Sequence, residues 1–600
     1  MSSNKKTSVV WDHFTDIGGS RGVCNICKVQ MSYKSSVSNL KKHLQRKHPT
    51  ICVVSRTDAV AGDSSAVNDV CIASVASGGG NTNVAEAINA GTNTIPNPVA
   101  NDKVMQLFTL DFQPFRIVED RGFRELMQLA FPNYIIPTRK YFANNLLPSL
   151  YEKKKSELRI SLENDVKSIC ITVDIWSTMT NDSMMAITGH YISETTSELK
   201  YCLLDCIPLE ESHSAKNLAR LIKEICDEWN LSNKVLLAVT DNGSNIKNAI
   251  EKELAWKHFP CYSHTLNLIV NDALKSEDIT LIINKVKIIV KQFKQSNLAW
   301  QKLKKYQEQA GNTPKRLIQE VATRWNSKYY MLQRCVELRE PLNSAMINLS
   351  MDILTSYEWQ VCTELCKILQ PCEEVTKELS GEKYLTGSLV IPITTGLTKV
   401  LQNYENENLM PIVDRVRQDL LGGIGNRFNN LTQSRTFTNC MFLDPRFKFY
   451  FNDQATALET KRRITAFVIQ EQSRQNNATI EMSNPQASTS TSTKLIRQDY
   501  REKMRNIQPE GTAHSRAIVE IQRYLDAPII DRSECPLKWW KIHRESYPNL
   551  YKVAVQKLNA MASSVPCERV FSAAGNMLNE RRTRLGIRKL QQLVFLNQNI

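Results

Sequence analysis

Four potential zinc ligands stand close together near the start of the chain, and their spacing limits what this segment can form. Cys24 and Cys27 are separated by two residues, and His43 follows Cys27 after fifteen residues. Four residues then separate His43 from His48. Two thiolates and two imidazoles at this spacing can close a tetrahedral metal site. The sequence therefore predicts a zinc finger, with Zn²⁺ as its structural cofactor, over residues 1–50.

Basic side chains surround the second half of this predicted finger. The stretch 36–47 favours a helix that presents both histidines, and Lys41, Lys42 and Arg46 lie within it. A positively charged helix on a zinc finger is suited to the grooves of double-stranded DNA, so these three residues are candidate DNA contacts. The alternative is a zinc site that only folds the module while its basic side chains remain solvated.

The charge of the whole chain also favours a polyanionic partner. Its 600 residues include 76 lysines and arginines against 61 aspartates and glutamates, a formal net charge of +15. No apolar run approaches the roughly 18 residues that a membrane helix needs, so no membrane partner is expected. Sixteen cysteines, several inside apolar stretches such as residues 169–171, fit buried thiols in a reducing compartment.

The middle of the chain alternates between strand and helix patterns. Residues 51–101, rich in serine, alanine, asparagine and glycine, predict a flexible linker before it. The order of elements between 168 and 275 is the one that a ribonuclease H-like core requires, and helical periodicity dominates from about 279 to 524. The predicted strands are 168–173, 184–192, 200–207, 235–239 and 258–260, and the predicted helices are 215–229, 245–254 and 262–274.

Two aspartates follow predicted strands of this core. Asp174 comes at the end of the first strand and Asp241 directly follows the fourth, and these two strands are neighbours in a ribonuclease H-like sheet. Phosphodiester cleavage by two Mg²⁺ ions needs carboxylates clustered in this way. From spacing alone, however, an aspartate after a strand is more often a helix cap or a turn residue.

Six short motifs are spread over residues 102–600: 174–176 (Asp-Ile-Trp), 240–245 (Thr-Asp-Asn-Gly-Ser-Asn), 261–264 (Cys-x-x-His), 323–327 (Thr-Arg-Trp-Asn-Ser), 442–447 (Phe-Leu-Asp-Pro-Arg-Phe) and 567–572 (Cys-Glu-Arg-Val-Phe-Ser). In this order they resemble the hAT superfamily of transposases. Trp11 and Phe14, which precede the zinc ligands, resemble the aromatic pair of a BED-type zinc finger. We expect these two side chains to pack on the core of the finger.

The resemblance implies further site residues. It makes Glu568 the third carboxylate, beside Cys567, where the family usually has serine. It also assigns Trp176, His264 and Trp325 to the handling of a DNA end, with Arg324 able to hold a phosphate. Ordinary core packing is the alternative for both tryptophans, and for Trp325 the two interpretations weigh equally.

The same resemblance implies an α/β architecture, with a small zinc finger and a ribonuclease H-like core interrupted by a large all-helical insertion. It implies a nuclear, double-stranded-DNA-binding transposase that forms a homodimer or larger oligomer and uses an Asp-Asp-Glu triad with Mg²⁺. A host-adopted, non-enzymatic transcription or chromatin regulator is the alternative, because intact acids do not establish activity. Beyond the linker, the predicted segments are 102–165 for DNA binding or dimerisation, 166–275 and 521–600 for the two parts of the core, the latter with the dimerisation region, and 276–520 for the insertion.

Overall fold

The computed structural model divides the chain into two compact units, residues 1–93 and 94–600. It describes residues 9–19, 21–33, 40, 42–43, 47, 98–178, 181–321, 324–481, 512–578 and 585–600. Most of the predicted linker, and the candidate residues Lys41, Arg46 and His48, lie outside this described part. No helix within it is long and apolar enough to cross a membrane.

The first unit contains a small antiparallel sheet in which β2 lies between β1 and β3. Its buried core consists of Val10, Phe14, Cys24 and Leu40, and Trp11 packs against this core. The packing role expected for Trp11 and Phe14 is therefore confirmed. The three strands are β1 (Phe14–Gly18), β2 (Arg21–Cys24) and β3 (Gln30–Ser32).

The second unit is built around a five-stranded sheet with the order β6-β5-β4-β7-β8. The first three strands along the chain pair in an antiparallel manner, and β7 and β8 join in parallel. This is the topology of a ribonuclease H-like core, as the sequence predicted. The strands are β4 (Ile169–Ser177), β5 (Ser183–Ile192), β6 (Leu199–Pro208), β7 (Val235–Thr240) and β8 (His258–Pro260).

The first core strand is longer than predicted, so Asp174 lies within it rather than at its end. Antiparallel pairing with β5 continues to Ser177, which lies opposite Ser183. Parallel pairing with β7 stops earlier, at the pair Val173 and Thr240. Asp174 is thus the first residue beyond the parallel ladder, because the two neighbours of β4 end at different heights.

Helices enclose the sheet in two apolar clusters, and one of them includes the strands together with the helices at both ends of the second unit. Of the described cysteines, only Cys535 is exposed and none forms a disulfide, which agrees with the expectation of buried cysteines. The helices up to the end of the first part of the core are α1 (Pro98–Thr109), α2 (Arg121–Ala130), α3 (Leu147–Asp165), α4 (Ala215–Glu228), α5 (Ser244–Asn248) and α6 (Tyr262–Ala273).

A helical insertion separates β8 from the helices that complete the core, and its described residues contain no strand. The thiol of Cys362 and the indole of Trp359 are among its fully buried groups. Its helices are α7 (Glu277–Gln295), α8 (Asn297–Gln309), α9 (Trp325–Glu337), α10 (Arg339–Asn348), α11 (Ser356–Leu379), α12 (Val390–Asn403), α13 (Pro411–Arg427), α14 (Arg435–Leu443), α15 (Gln454–Glu481) and α16 (Ala513–Asp526). The remaining helices are α17 (Pro536–Ile542), α18 (Pro548–Lys557), α19 (Val565–Met577) and α20 (Ile587–Asn599).

A short segment, residues 559–564, connects the insertion to the sheet and is called the connecting segment below. The buried amide of Asn559 donates to the carbonyl of Ser168 at 2.7 Å, next to the start of β4. Further along, the Tyr262 amide donates to the Ala562 carbonyl at 2.9 Å. The backbone amide of Ala562 donates to Thr386 Oγ1 of the insertion at 3.0 Å. The connecting segment thus hydrogen-bonds to the sheet, to α6 and to the insertion.

We predict that Asn559→Ala lowers the free energy of unfolding by about 1–3 kcal/mol, because it removes this donor from the carbonyl of the half-buried Ser168. The matched control is Asn403→Ala at the exposed end of α12, where a change within about 0.5 kcal/mol is expected. Thermal unfolding midpoints of the two variants provide the measurement. Equal midpoints would contradict a structural role for Asn559.

Candidate functional site

Three of the four predicted zinc ligands lie together in the finger. Cys24 closes β2, Cys27 lies in the turn after it, and His43 belongs to the helical residues beyond β3. Their ligand atoms all lie within 4.8 Å of one another, and Cys27 Sγ is 3.0 Å from His43 Nε2. This donor set fits Zn²⁺, which prefers thiolate and imidazole ligands. The fourth predicted ligand, His48, lies outside the described residues.

The turn between the two cysteines favours the thiolate form of Cys24. Burial alone would raise the pKa of this thiol, but backbone hydrogen bonds from Cys27 and Ile26 outweigh burial and leave the pKa below its ordinary value. Lys28 adopts a left-handed conformation, with φ at 61°, and its amide donates to the Cys24 carbonyl at 2.9 Å. Of the candidate DNA contacts on the finger, Lys42 lies within the described residues. It is helical and its side chain is exposed.

Asp174 and Asp241 are neighbours on the sheet. Each directly follows one member of the last parallel pair between β4 and β7, Val173 and Thr240. Asp174 Oδ1 accepts a hydrogen bond from the Ile175 amide at 2.9 Å. Asp241 Oδ1 accepts one from the Gly243 amide at 3.1 Å. The end of the parallel ladder between β4 and β7 therefore places two carboxylates next to each other.

Glu568 reaches the same region from helix α19, almost four hundred residues after β4. Pro566 lies in the first turn of this helix, where the fixed φ of proline favours the helical start. The buried Cys567 lies 3.0 Å from Thr172 Oγ1 through its Sγ atom, and it donates to the Thr172 carbonyl at 3.3 Å. Cys567, which directly precedes Glu568, is therefore held against the strand that carries Asp174.

The three carboxylates influence one another electrostatically. Burial raises the pKa of Asp174 to about 7, and the negative charges of Asp241 and Glu568 contribute to this rise. Arg324 partly balances the cluster from the insertion, since its Nη2 atom lies 3.4 Å from Glu568 Oε2. Such a cluster is suited to bind divalent cations, which would restore the charged form of Asp174.

The residues assigned to a DNA end are placed differently from one another. The side chain of Arg324 is 68% exposed beside Glu568, and His264 is half-buried in the first turn of α6. Trp176 is half-buried with one ring face against Phe571, at a centroid distance of 3.9 Å. Trp325 is only 2% exposed, so in this conformation its indole packs in the insertion. Stacking of Trp325 on a base would require it to leave this position.

The fifth motif, residues 442–447, contributes to a buried polar network that the sequence did not predict. Asp444 is fully buried, accepts a hydrogen bond from Ser388 Oγ at 2.6 Å, and pairs with Arg446 Nη2 at 2.8 Å. The buried Lys448 donates to the Tyr524 carbonyl at 2.7 Å, and burial lowers its pKa to about 8. An acid and two basic residues within five positions of an apolar segment were the available signal for this buried polar network.

The apolar stripe of α20 packs within the chain. Leu590, Leu593, Val594 and Leu596 are all buried in the cluster that includes the sheet. Core packing is thus the role the structure gives to this stripe, and it is not a free surface for a second copy. The sequence pattern could not separate the two roles because both demand the same helical spacing.

Four family models match the chain. The BED zinc finger matches residues 8–49, and the ZBED1 RNase-like domain matches residues 172–260. The ZBED1 RNase-like helical domain matches residues 259–368, and the hAT family C-terminal dimerisation region matches residues 520–600.

Several known proteins are similar to most of the chain. Human zinc finger BED domain-containing protein 4 is 24% identical over all of this chain, which spans 52% of that protein. A maize protein named as an AC transposase is 24% identical over 99% of the chain and 76% of its own length. A Talaromyces stipitatus protein named as a transcriptional regulator is 24% identical over 82% of the chain and 61% of its own length.

The chain spans about half the length of the human relative, so the matches define its domains more directly than its activity. The finger, the two RNase-like segments and the dimerisation region follow one another in the order that the sequence motifs predicted. The chain is therefore a BED-type zinc finger protein of the hAT transposase superfamily.

Proposed function

We propose that this protein binds double-stranded DNA in the nucleus and cleaves and joins it, as a transposase does, with two Mg²⁺ ions held by an Asp-Asp-Glu triad. The observation that carries the proposal is the clustering of the three acids. Asp241 and Glu568 lie close enough to Asp174 for their charges to contribute, with burial, to the rise of its pKa to about 7. Acids from two neighbouring strands, just beyond their parallel ladder, and from a distant helix meet here, an arrangement that structural packing alone does not require. The BED finger supports the DNA-binding part of the proposal.

Each side chain of the triad has a defined task in this function. Asp174, Asp241 and Glu568 would supply the carboxylate oxygens that hold the ions. When bound, the ions activate an attacking water or 3′-hydroxyl and stabilise the leaving oxygen of the scissile phosphodiester. Asp174 would give up its proton as the ions bind. Arg324, now paired with Glu568, would turn its exposed guanidinium towards a DNA phosphate.

A second function is a non-enzymatic regulator of transcription or chromatin that keeps the finger and the dimer. The similarity to a protein named as a transcriptional regulator supports it. Such a protein would use the same fold as a scaffold, and its carboxylates would have no reaction to perform. DNA binding without cleavage therefore distinguishes it from the transposase.

We predict that Asp241→Asn reduces Mg²⁺-dependent cleavage at least about a hundredfold, because the amide cannot replace a charged ligand of a hard cation. DNA binding should stay within about twofold of wild type, since the finger is unchanged. The substrate is a duplex with the genomic sequences that flank the coding region, and nicking is followed on denaturing gels.

The matched control is Cys24→Ala, which opens the zinc site and leaves the triad intact. It should weaken DNA binding, which Asp241→Asn is expected to leave unchanged. If wild type binds this duplex but never cleaves it, the regulator replaces the transposase as the function. Equal cleavage by wild type and Asp241→Asn would show that another carboxylate holds the metal.

We predict a pH-dependent stability that originates at Asp174. Its folded pKa of about 7 lies above the ordinary aspartate value, so its contribution to stability is complete below about pH 4 and is lost as the pH rises through 7. Without Mg²⁺, Asp174→Asn should therefore melt about 2 °C above wild type at pH 8, a difference that vanishes near pH 4. Asp419→Asn, at an exposed position of α13, should melt like wild type at both pH values. A pH-independent difference for Asp174→Asn would count against the raised pKa.

We predict that the chain forms a homodimer through the segment that matches the dimerisation region. Exposed apolar side chains there include Ile542, which is 77% exposed at the end of α17. Ile542→Asp should shift the mass measured by light scattering from dimer to monomer at micromolar concentration. The control Ile347→Asp changes an equally apolar residue, 65% exposed on the insertion, and should leave the dimer intact. A monomeric wild type would refute the prediction.

A further inference from the structure

A cavity of about 870 Å³ lies between the N-terminal helices of the second unit and helix α20. None of the three candidate carboxylates lines it, and no acidic residue of the described chain does. Four basic side chains line it instead, namely Arg139, Lys140, Arg588 and Lys589. The described wall of the cavity is therefore positively charged, and the cavity is separate from the proposed catalytic cluster.

Two of these cations are already engaged by the protein and two are not. Arg139 Nε lies 3.3 Å from Glu119 Oε1, and Lys589 Nζ donates to Asn144 Oδ1 at 2.8 Å. Lys140 and Arg588 are exposed and form no ion pair within the described part of the chain. The cavity thus keeps an excess of positive charge that is available to a ligand.

The N-terminus of α20 adds to this positive potential. The thirteen-residue helix starts at Ile587, after the N-cap residue Gly586, which lines the cavity; it has no side-chain cap and no acid in its first turn. Uncapped amides at the start of a helix attract phosphate and carboxylate groups. A single anionic group could therefore meet both these amides and the Arg588 guanidinium.

The rest of the cavity wall suits a planar, hydrogen-bonding ring. Gln592 is only 6% exposed, lines the cavity, and has no hydrogen-bond partner for its amide within the described residues. Because Gln592 lines the cavity, its amide can donate to and accept from a ligand there. Phe115 also lines the cavity, and Phe108 supports its ring at a centroid distance of 4.6 Å.

We propose that this cavity binds a nucleotide. Its phosphate would lie between Lys140, Arg588 and the start of α20, and its base would stack on Phe115 and pair with the Gln592 amide. A free nucleotide and a nucleotide of single-stranded DNA share this chemistry, because each carries one base and at least one phosphate. The proposal is independent of cleavage by the triad.

The test uses the full-length protein without added Mg²⁺ and two probes. Radiolabelled ATP is measured by equilibrium dialysis, and a fluorescent oligo-dT strand is measured by anisotropy. Gln592→Leu keeps the side-chain size, and Arg588→Glu reverses a charge. Each variant should weaken the binding of the probe by about tenfold or more. Lys153→Glu, the same charge reversal on the exposed face of α3, should stay within about twofold of wild type.

The probe that binds identifies the source of the nucleotide. Binding of ATP indicates a free nucleotide, and binding of the oligonucleotide alone indicates a DNA strand. Asp241→Asn should bind either probe like wild type, so a failure of the transposase function would not affect this result. Failure of wild type to bind both probes would overturn the proposal, as would unchanged binding by Gln592→Leu or equal losses in Arg588→Glu and Lys153→Glu.

Discussion

The connecting segment, residues 559–564, is the constraint on which the rest of the second unit depends. Asn559 ties it to the first core strand through Ser168, and Ala562 ties it to both α6 and the insertion. Gly387 approaches this segment so closely that a Cβ atom would lie 2.5 Å from the Ala560 carbonyl oxygen. Helix α19 follows directly, so the same contacts that close the fold also determine where Glu568 lies.

Electrostatics then distinguishes the carboxylate cluster from an ordinary helix cap. An aspartate after a strand accepts local amide hydrogen bonds, as Asp241 does from Gly243. Asp174 receives one such bond but is half-buried near two other acids, and its pKa rises. Arg324 supplies the compensating charge that the fold offers to this cluster. The arrangement favours a cation ligand over a purely structural role.

Local patterns in the sequence were sufficient for the sheet and for two of its acids. The order of predicted strands and helices, which is that of a ribonuclease H-like sheet, predicted neighbouring positions for Asp174 and Asp241, and β8 was predicted at the residues where it lies. The end of β4 was predicted too early, because its extension depends on pairing with β5 beyond the last parallel contact. The placement of Trp325 in the core also depended on packing that helical spacing does not encode.

By itself, the sequence predicted the zinc ligands, three of which the structure brings together, and it determined the order of strands and helices, because both arise from spacing between residues that are near one another in the chain. It also named Glu568, through resemblance rather than through physical necessity. Only the tertiary structure decided that Arg324 lies beside Glu568, that Cys567 contacts Thr172, and that α20 turns its apolar stripe inward. These contacts join residues hundreds of positions apart, and their geometry follows from how the whole chain packs, which no local pattern records.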